Sequence, residues 1–129
     1  MGTLIQTECR NCEGRFRFLE GIGKGYWGVE DILCHTRGRT RRALQEILET
    51  KQVLSADYGH RLFTCPRCET LHERFYVRVD YHYLGVYETT FVCGECRTPL
   101  VERSEPVERH RCPSCLETTL FENGVEEWD

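Results

Sequence analysis

Four Cys-x-x-Cys pairs constrain this 129-residue chain more than any other feature of its sequence. The pairs, each called a knuckle below, are Cys9/Cys12, Cys65/Cys68, Cys93/Cys96 and Cys112/Cys115. Two residues between two thiols form a tight turn whose N–H groups point at the sulfurs, and two such turns supply a tetrahedral four-sulfur shell. We therefore predict two structural Zn²⁺ ions, each bound by four cysteines with no open ligand position.

Disulfide bonds and iron–sulfur clusters are the alternative uses of paired cysteines. The N-terminal sequence MGTLIQTECRNC lacks the basic start and apolar core of a signal peptide, which predicts a cytoplasmic protein with reduced thiols. Disulfides are therefore the weaker interpretation. Thiolate ligands alone do not exclude iron, but paired knuckles at ribbon-like separations favour zinc. No segment approaches the roughly 18 apolar residues of a membrane span, so no membrane partner is expected.

The spacing of the knuckles leaves two ways to share two metals. Between successive knuckles lie 52, 24 and 15 residues. The short last interval favours a metal shared by the third and fourth knuckles, which leaves the first to pair with the second. The rival arrangement joins the second knuckle with the third and the first with the fourth. The preferred arrangement divides one compact unit into a zinc ribbon at 1–86 and a second ribbon at 87–129.

The remaining sequence predicts a small α+β protein. Apolar residues at positions 43, 44, 47 and 48 predict an amphipathic helix over 39–54, preceded by a shorter helix over 29–35 that ends near Gly38. Strands are expected at 61–65 and 75–83, with a turn at Leu84-Gly85 into a strand at 86–92. The fold class is thus two metal-stabilised zinc ribbons, built from short antiparallel hairpins, with a helical insert at 28–55 after the first knuckle.

This order of features resembles an uncharacterised family of small bacterial zinc-ribbon proteins with four Cys-x-x-Cys knuckles. The similar segments are ECRNCEGRFRFLEGIGKGYW, GRTRRALQEILETKQVLSADYGHRLFTCPRC and HRCPSCLETTLFENG, which together span most of the chain. The resemblance implies the eight cysteine ligands and a ribbon fold. It implies no activity.

The charge of the chain bears on its partners. The formal net charge is -4, and eight thiolates with two Zn²⁺ would bring it to about -8. Phosphate neutralisation dominates non-specific nucleic-acid binding, so an acidic chain is better suited to a protein partner. We predict a non-enzymatic interaction or adaptor module with no catalytic residues. The alternative is a nucleic-acid-binding ribbon that uses sheet aromatics and a basic set comprising Lys24, Arg37, Arg39, Arg41 and Arg42.

Two further motifs have simpler interpretations. Gly23, Gly25 and Gly28 spell G-x-G-x-x-G, but no continuous apolar strand precedes them, so we expect a connector and no nucleotide cofactor. Cys34 could serve as a nucleophile or join His35 and His60 in a third metal site. We expect it instead to be a small buried residue.

Overall fold

The computed structural model describes residues 2–21 and 33–128, which form a seven-stranded antiparallel sheet and one α-helix. The strands are β1 (Gly2–Cys9), β2 (Arg15–Gly21), β3 (Val53–Thr64), β4 (Leu71–Tyr81), β5 (Gly85–Glu88), β6 (Val101–Glu102) and β7 (Leu120–Trp128). The helix is α1 (Gly38–Thr50), and a 3-10 helix spans Val107–Arg109. A sheet with one helix agrees with the predicted α+β class.

The sheet has the strand order β5-β4-β3-β2-β1-β7, with β6 beside β3. The first and last strands of the chain are therefore neighbours, and Cys9 of β1 lies opposite Leu120 of β7. Within the described residues, Gly21 of β2 lies opposite His60 of β3. The boundary expected between residues 86 and 87 falls inside β5, so the chain does not divide into hairpins at that point.

The helix packs on the β3–β4–β5 end of the sheet. Leu44 and Ile47 face Val77 and Val79 of β4 and form an apolar core with them, as the 43/44/47/48 stripe predicts. Leu44 and Val77 are completely buried. Among the described residues, no helix is long and apolar enough to cross a membrane.

A second core lies at the other end of the sheet and includes cysteines. Cys9 and Cys112 are buried there beside Ile5, Phe18 and Leu120. The remaining buried members are Leu62, Leu71 and Val107. Since the two inner cysteines are part of this core, an ion bound by their sulfurs would also help to organise the apolar packing around them.

Several element boundaries differ from those predicted. The helix ends at Thr50 rather than residue 54, because Val53 already pairs with Tyr81 in the sheet. The strand expected at 61–65 begins earlier, because the segment 55–59 already belongs to β3 and pairs residue by residue with β4. β1 and β7 were not predicted. Of the expected helix at 29–35, the described part is a 3-10 turn at 33–35, and its remainder lies outside the described residues.

Candidate metal centre

The eight paired cysteines form two groups of four in the structure. Cluster 1 contains Cys9, Cys12, Cys112 and Cys115, and cluster 2 contains Cys65, Cys68, Cys93 and Cys96. Within each cluster the four sulfurs lie within 4.8 Å of one another. Each cluster combines two knuckles and could therefore hold one metal ion.

The sulfur separations match a tetrahedral metal shell. The Sγ–Sγ distance is 3.6 Å for Cys9–Cys115, 3.6 Å for Cys12–Cys112 and 3.4 Å for Cys65–Cys96. A tetrahedron with metal–sulfur bonds near 2.3 Å has edges of about 3.8 Å, whereas a disulfide needs about 2.05 Å. These three separations are close to those between ligands of one tetrahedral ion. In none of the three pairs are the sulfurs close enough to form a disulfide.

The pairing of knuckles corrects the arrangement preferred from the sequence. The first knuckle shares a cluster with the fourth, and the second with the third, which is the rival arrangement. The cause is strand pairing: β1 lies beside β7, and the Arg10 N–H donates to the Thr119 carbonyl at 3.0 Å. Likewise, β6 pairs with the end of β3 just before Cys65 and draws the third knuckle towards the second. The two ribbons expected at 1–86 and 87–129 are accordingly replaced by interleaved clusters.

All four knuckles have the same backbone hydrogen bonds. The N–H of the first cysteine donates to the carbonyl five residues later, and its own carbonyl accepts the N–H four residues later, at 2.8–3.1 Å. That fourth residue has a positive φ of 60–64° in each knuckle. The four residues at this position are Glu13, Glu69, Arg97 and Leu116. Glycine would suit this left-handed conformation best, so its absence hid the repeated turn in the sequence.

Each knuckle places its first cysteine inside and its second nearer the surface. Cys9, Cys65, Cys93 and Cys112 are at most 1% exposed, whereas their partners are half-buried or, for Cys12, exposed. Backbone N–H groups of the turns donate to the inner sulfurs, from Cys12 to Cys9 at 3.4 Å and from Cys68 to Cys65 at 3.3 Å. Hydrogen bonds of this kind favour the thiolate form that binds a metal.

Within cluster 1 the thiols differ strongly in acidity. Burial raises the pKa of Cys9, but hydrogen bonds from backbone N–H groups and from the Thr119 hydroxyl outweigh it, and the pKa falls to about 6. The Gly14 N–H lowers the pKa of Cys12, yet burial and the neighbouring thiols bring it to about 11. A metal ion must therefore displace a proton from Cys12 at neutral pH.

Cluster 2 shows the same contrast. The Thr98 hydroxyl, 3.1 Å from the Cys96 sulfur, and the Thr98 N–H lower the pKa of Cys96 to about 6. The hydrogen bond between the Cys68 and Cys96 thiols and the burial of Cys68 raise the pKa of Cys68 to about 12. In each cluster the pKa of one thiol is thus lowered and that of another is raised, because the neighbouring sulfurs bond to and repel one another.

The other predicted site residues that the structure describes do not belong to either cluster. Arg37, Arg39, Arg41 and Arg42 are all exposed at the start of α1, and Lys24 lies outside the described residues, as do Gly23, Gly25 and Gly28. Cys34 is exposed, so the expectation that it is buried was wrong. His35 and His60 both pack against the Phe75 ring, with ring centroids 5.5 and 5.1 Å apart. The described residues contain no third group of potential metal ligands, so Cys34 and these histidines do not form one there.

Sequence reasoning missed the hydroxyl groups that adjoin the cysteines. Thr119 lies 3.0 Å from the Cys9 sulfur, and Thr98 lies beside Cys96. The signal for Thr98 was its position two residues after Cys96. Thr119 follows Cys9 by 110 residues and could be found only from the β1–β7 pairing.

No model of a known protein family matches the chain, and no curated protein or solved structure matches it either.

Proposed function

We propose that this protein is a non-enzymatic protein-interaction module whose two clusters each hold a structural Zn²⁺. The observation that carries the proposal is the pair of four-sulfur shells with tetrahedral separations, whose inner cysteines lie in or beside the protein core. Four cysteine ligands fill the shell of a zinc ion and leave no position for water or substrate. Such an ion contributes its binding energy to folding.

Zinc suits the clusters better than harder cations. Thiolates are soft ligands that select zinc, copper(I) or iron–sulfur clusters over magnesium or calcium. Four sulfurs within 4.8 Å of one another, with three measured separations of 3.4–3.6 Å, leave room for a single ion. A polynuclear iron–sulfur cluster would hold the cysteines farther apart, because its own sulfides and irons occupy the centre.

The protein-partner assignment rests on charge and on what the metals fix in place. With two zinc ions bound, the chain would have a net charge of about -8, which opposes binding to a phosphate backbone. The clusters also hold the knuckle turns rigidly at the surface, where Val92 and Leu116 are 49% and 57% exposed. Rigid turns that present apolar side chains lose little entropy when a partner binds.

Elemental analysis of protein purified without added metal tests the zinc assignment. We expect two zinc atoms per chain, and removal with a strong chelator should abolish the cooperative unfolding transition. Iron in place of zinc, or unchanged unfolding after complete removal of metal, would contradict the proposal.

Capture experiments test the partner assignment. The zinc-loaded chain, immobilised and incubated with nuclease-treated extract, should retain a protein partner that the metal-free chain does not retain. A parallel incubation without nuclease that returned only nucleic acid would favour the alternative function.

The alternative is nucleic-acid binding through the start of α1. Arg37, Arg39, Arg41 and Arg42 are exposed, the first turn contains no acidic residue, and none of the four forms an ion pair within the described part of the chain. The positive end of the helix dipole adds to their field. This function predicts salt-dependent binding of a single-stranded oligonucleotide that is lost when residues 39, 41 and 42 become Ala; no binding at low salt would rule it out.

A further inference from the structure

The two clusters differ in the length of chain that separates their knuckles. In cluster 2 the knuckles are 24 residues apart, whereas residues 13–111, 99 in all, separate the knuckles of cluster 1. The equilibrium constant for bringing two chain segments together falls with about the 3/2 power of their separation, so a disordered chain would close cluster 1 about eightfold less readily. Folding of the intervening residues removes this difference. Cluster 1 therefore depends on structure that forms elsewhere in the chain.

Cluster 2 lies within a segment whose elements pair with one another. This inner segment, 38–103, contains α1, β3, β4, β5 and β6. The second knuckle is the turn of the β3–β4 hairpin, since Thr64 pairs with Leu71 on either side of it. The third knuckle follows the Phe91 ring, which packs 5.2 Å from the Phe63 ring of β3. All four ligands of cluster 2 and the buried core between α1 and β4 thus belong to one continuous stretch of chain.

Cluster 1 joins two outer segments that are remote in sequence. The first, 2–21, contains β1 and β2, and the second, 107–128, contains the 3-10 helix and β7. The first knuckle follows β1 and the fourth knuckle precedes β7, so the cluster lies at the Cys9/Leu120 end of the β1–β7 ladder. An ion bound there would hold the two outer segments together.

The outer segments pack on the inner segment along a seam that includes cluster 1. Leu62 and Leu71 of the inner segment, 2% and 5% exposed, share a core with the two inner cysteines of cluster 1. Across the same seam the Arg103 guanidinium lies 2.8 Å from the Glu20 carboxylate. Because the inner cysteines are themselves part of the seam, loss of their ion would loosen it.

Cluster 1 is also the more accessible of the two clusters. Its ligand Cys12 is exposed, whereas Cys68 and Cys96, the outer ligands of cluster 2, are half-buried. The protein shell around a metal controls how readily solvent and competing ligands reach it. A chelator should therefore displace Cys12 before it displaces a ligand of cluster 2.

We propose that cluster 1 is a zinc-dependent latch, whereas cluster 2 holds its ion permanently. When cluster 1 is filled, β1, β2 and β7 pack on the inner segment. When it is empty, these strands detach, while the inner segment and the ion of cluster 2 stay in place. Detachment uncovers Leu62 and Leu71, so zinc availability controls which surface the protein presents. The proposal rests on the two zinc ions of the proposed function and gives them different roles.

Stepwise removal of zinc from the full chain tests the order of loss. EDTA is added to the two-zinc protein, native mass spectrometry counts the ions, and labelling with N-ethylmaleimide followed by peptide mapping identifies the released cysteines. We expect a one-zinc intermediate in which the cysteines of cluster 1 are labelled and those of cluster 2 are not. Cys34, which is exposed and belongs to neither cluster, gives the time scale of labelling.

The contrary outcomes separate the latch from the zinc assignment. An intermediate labelled in cluster 2, or simultaneous loss of both ions, would overturn the latch and leave the zinc assignment intact. A chain that binds no zinc would overturn both.

Two matched double variants test whether the dependence between the clusters runs in one direction. Each replaces the two outer cysteines of one cluster by serine. Cys12→Ser/Cys115→Ser should keep one zinc, and hydrogen–deuterium exchange should become about tenfold faster or more in β1 while β4 keeps its protection. Cys68→Ser/Cys96→Ser should weaken zinc binding at cluster 1 by about eightfold in chelator competition, because the residues between its knuckles are then less ordered. Unchanged protection of β1 in the first variant, or unchanged zinc affinity in the second, would contradict the latch.

Discussion

Truncation of Leu44 tests whether the chain contains two separate cores. Leu44 is completely buried between α1 and β4. Leu44→Ala removes three carbons, which at about 0.8 kcal/mol each cost about 2.4 kcal/mol, and the cavity left behind adds about 1 kcal/mol. We expect the free energy of unfolding to fall by about 3 to 4 kcal/mol in total, measured by urea unfolding monitored with far-UV circular dichroism.

The metal content of the same variant should not change. No cysteine belongs to the core around Leu44, so Leu44→Ala should keep two zincs per folded chain. The control is Gln45→Ala on the exposed face of the same helix turn, with an expected change within about 0.5 kcal/mol. A loss below about 1 kcal/mol for Leu44→Ala, or loss of zinc from the folded variant, would refute the two-core description.

Three other predictions concern the sites and the hairpin. A Cβ at Gly14 would lie 3.2 Å from the Cys12 sulfur, so Gly14→Ala should weaken zinc binding at cluster 1 in chelator competition. A Cβ at Gly94, in the third knuckle, would have no atom from outside that turn within 4 Å, so Gly94→Ala should leave zinc binding at cluster 2 unchanged. A Cβ at Gly85 would overlap the Tyr81 ring, so Gly85→Ala should cost about 1–3 kcal/mol in thermal unfolding. Zinc affinity at cluster 1 should rise at least about tenfold per pH unit from about pH 7 to 9, because Cys12, with a pKa of about 11, loses a proton on binding; a flat profile would contradict this.

Local pattern was enough to predict the helix and the ligand types. The stripe at 43, 44, 47 and 48 identified the buried face of α1, because helical periodicity depends on neighbours in sequence. The Cys-x-x-Cys spacing likewise identified the knuckles, since each turn closes within six residues. Both signals are contained in one short segment.

The assignment of knuckles to clusters needed information from distant segments. The 15-residue interval between the third and fourth knuckles suggested a shared metal, because short loops cost less entropy to close. The entropic cost of closing a loop grows only slowly with its length, so the advantage of the short interval is small. The β1–β7 ladder, which runs from Cys9/Leu120 to Gly2/Trp128, outweighs it. Neither strand has a clear alternating pattern: Gly2–Cys9 mixes threonine and glutamine with apolar residues, and β7 carries three glutamates and a bulge next to Gly124.

The burial of individual residues could not be predicted from the sequence either. Cys34 follows an apolar pair and was expected inside, but it lies exposed in a 3-10 turn. Conversely, Thr7 is 1% exposed because it occupies the same face of β1 as Ile5 and Cys9, and its hydroxyl donates to the Phe16 carbonyl at 3.4 Å. Such placements depend on register, which is set across strands.

Native mass spectrometry of paired cysteine variants tests the central claim of two interleaved four-cysteine zinc sites most directly. In the double variant Cys9→Ser/Cys112→Ser both substitutions fall in cluster 1, so the chain should retain one zinc. In Cys9→Ser/Cys65→Ser each cluster loses a ligand, so neither site should hold its ion tightly. The opposite result, one zinc retained by Cys9→Ser/Cys65→Ser and none by Cys9→Ser/Cys112→Ser, would contradict the interleaved clusters and favour two sequential ribbons.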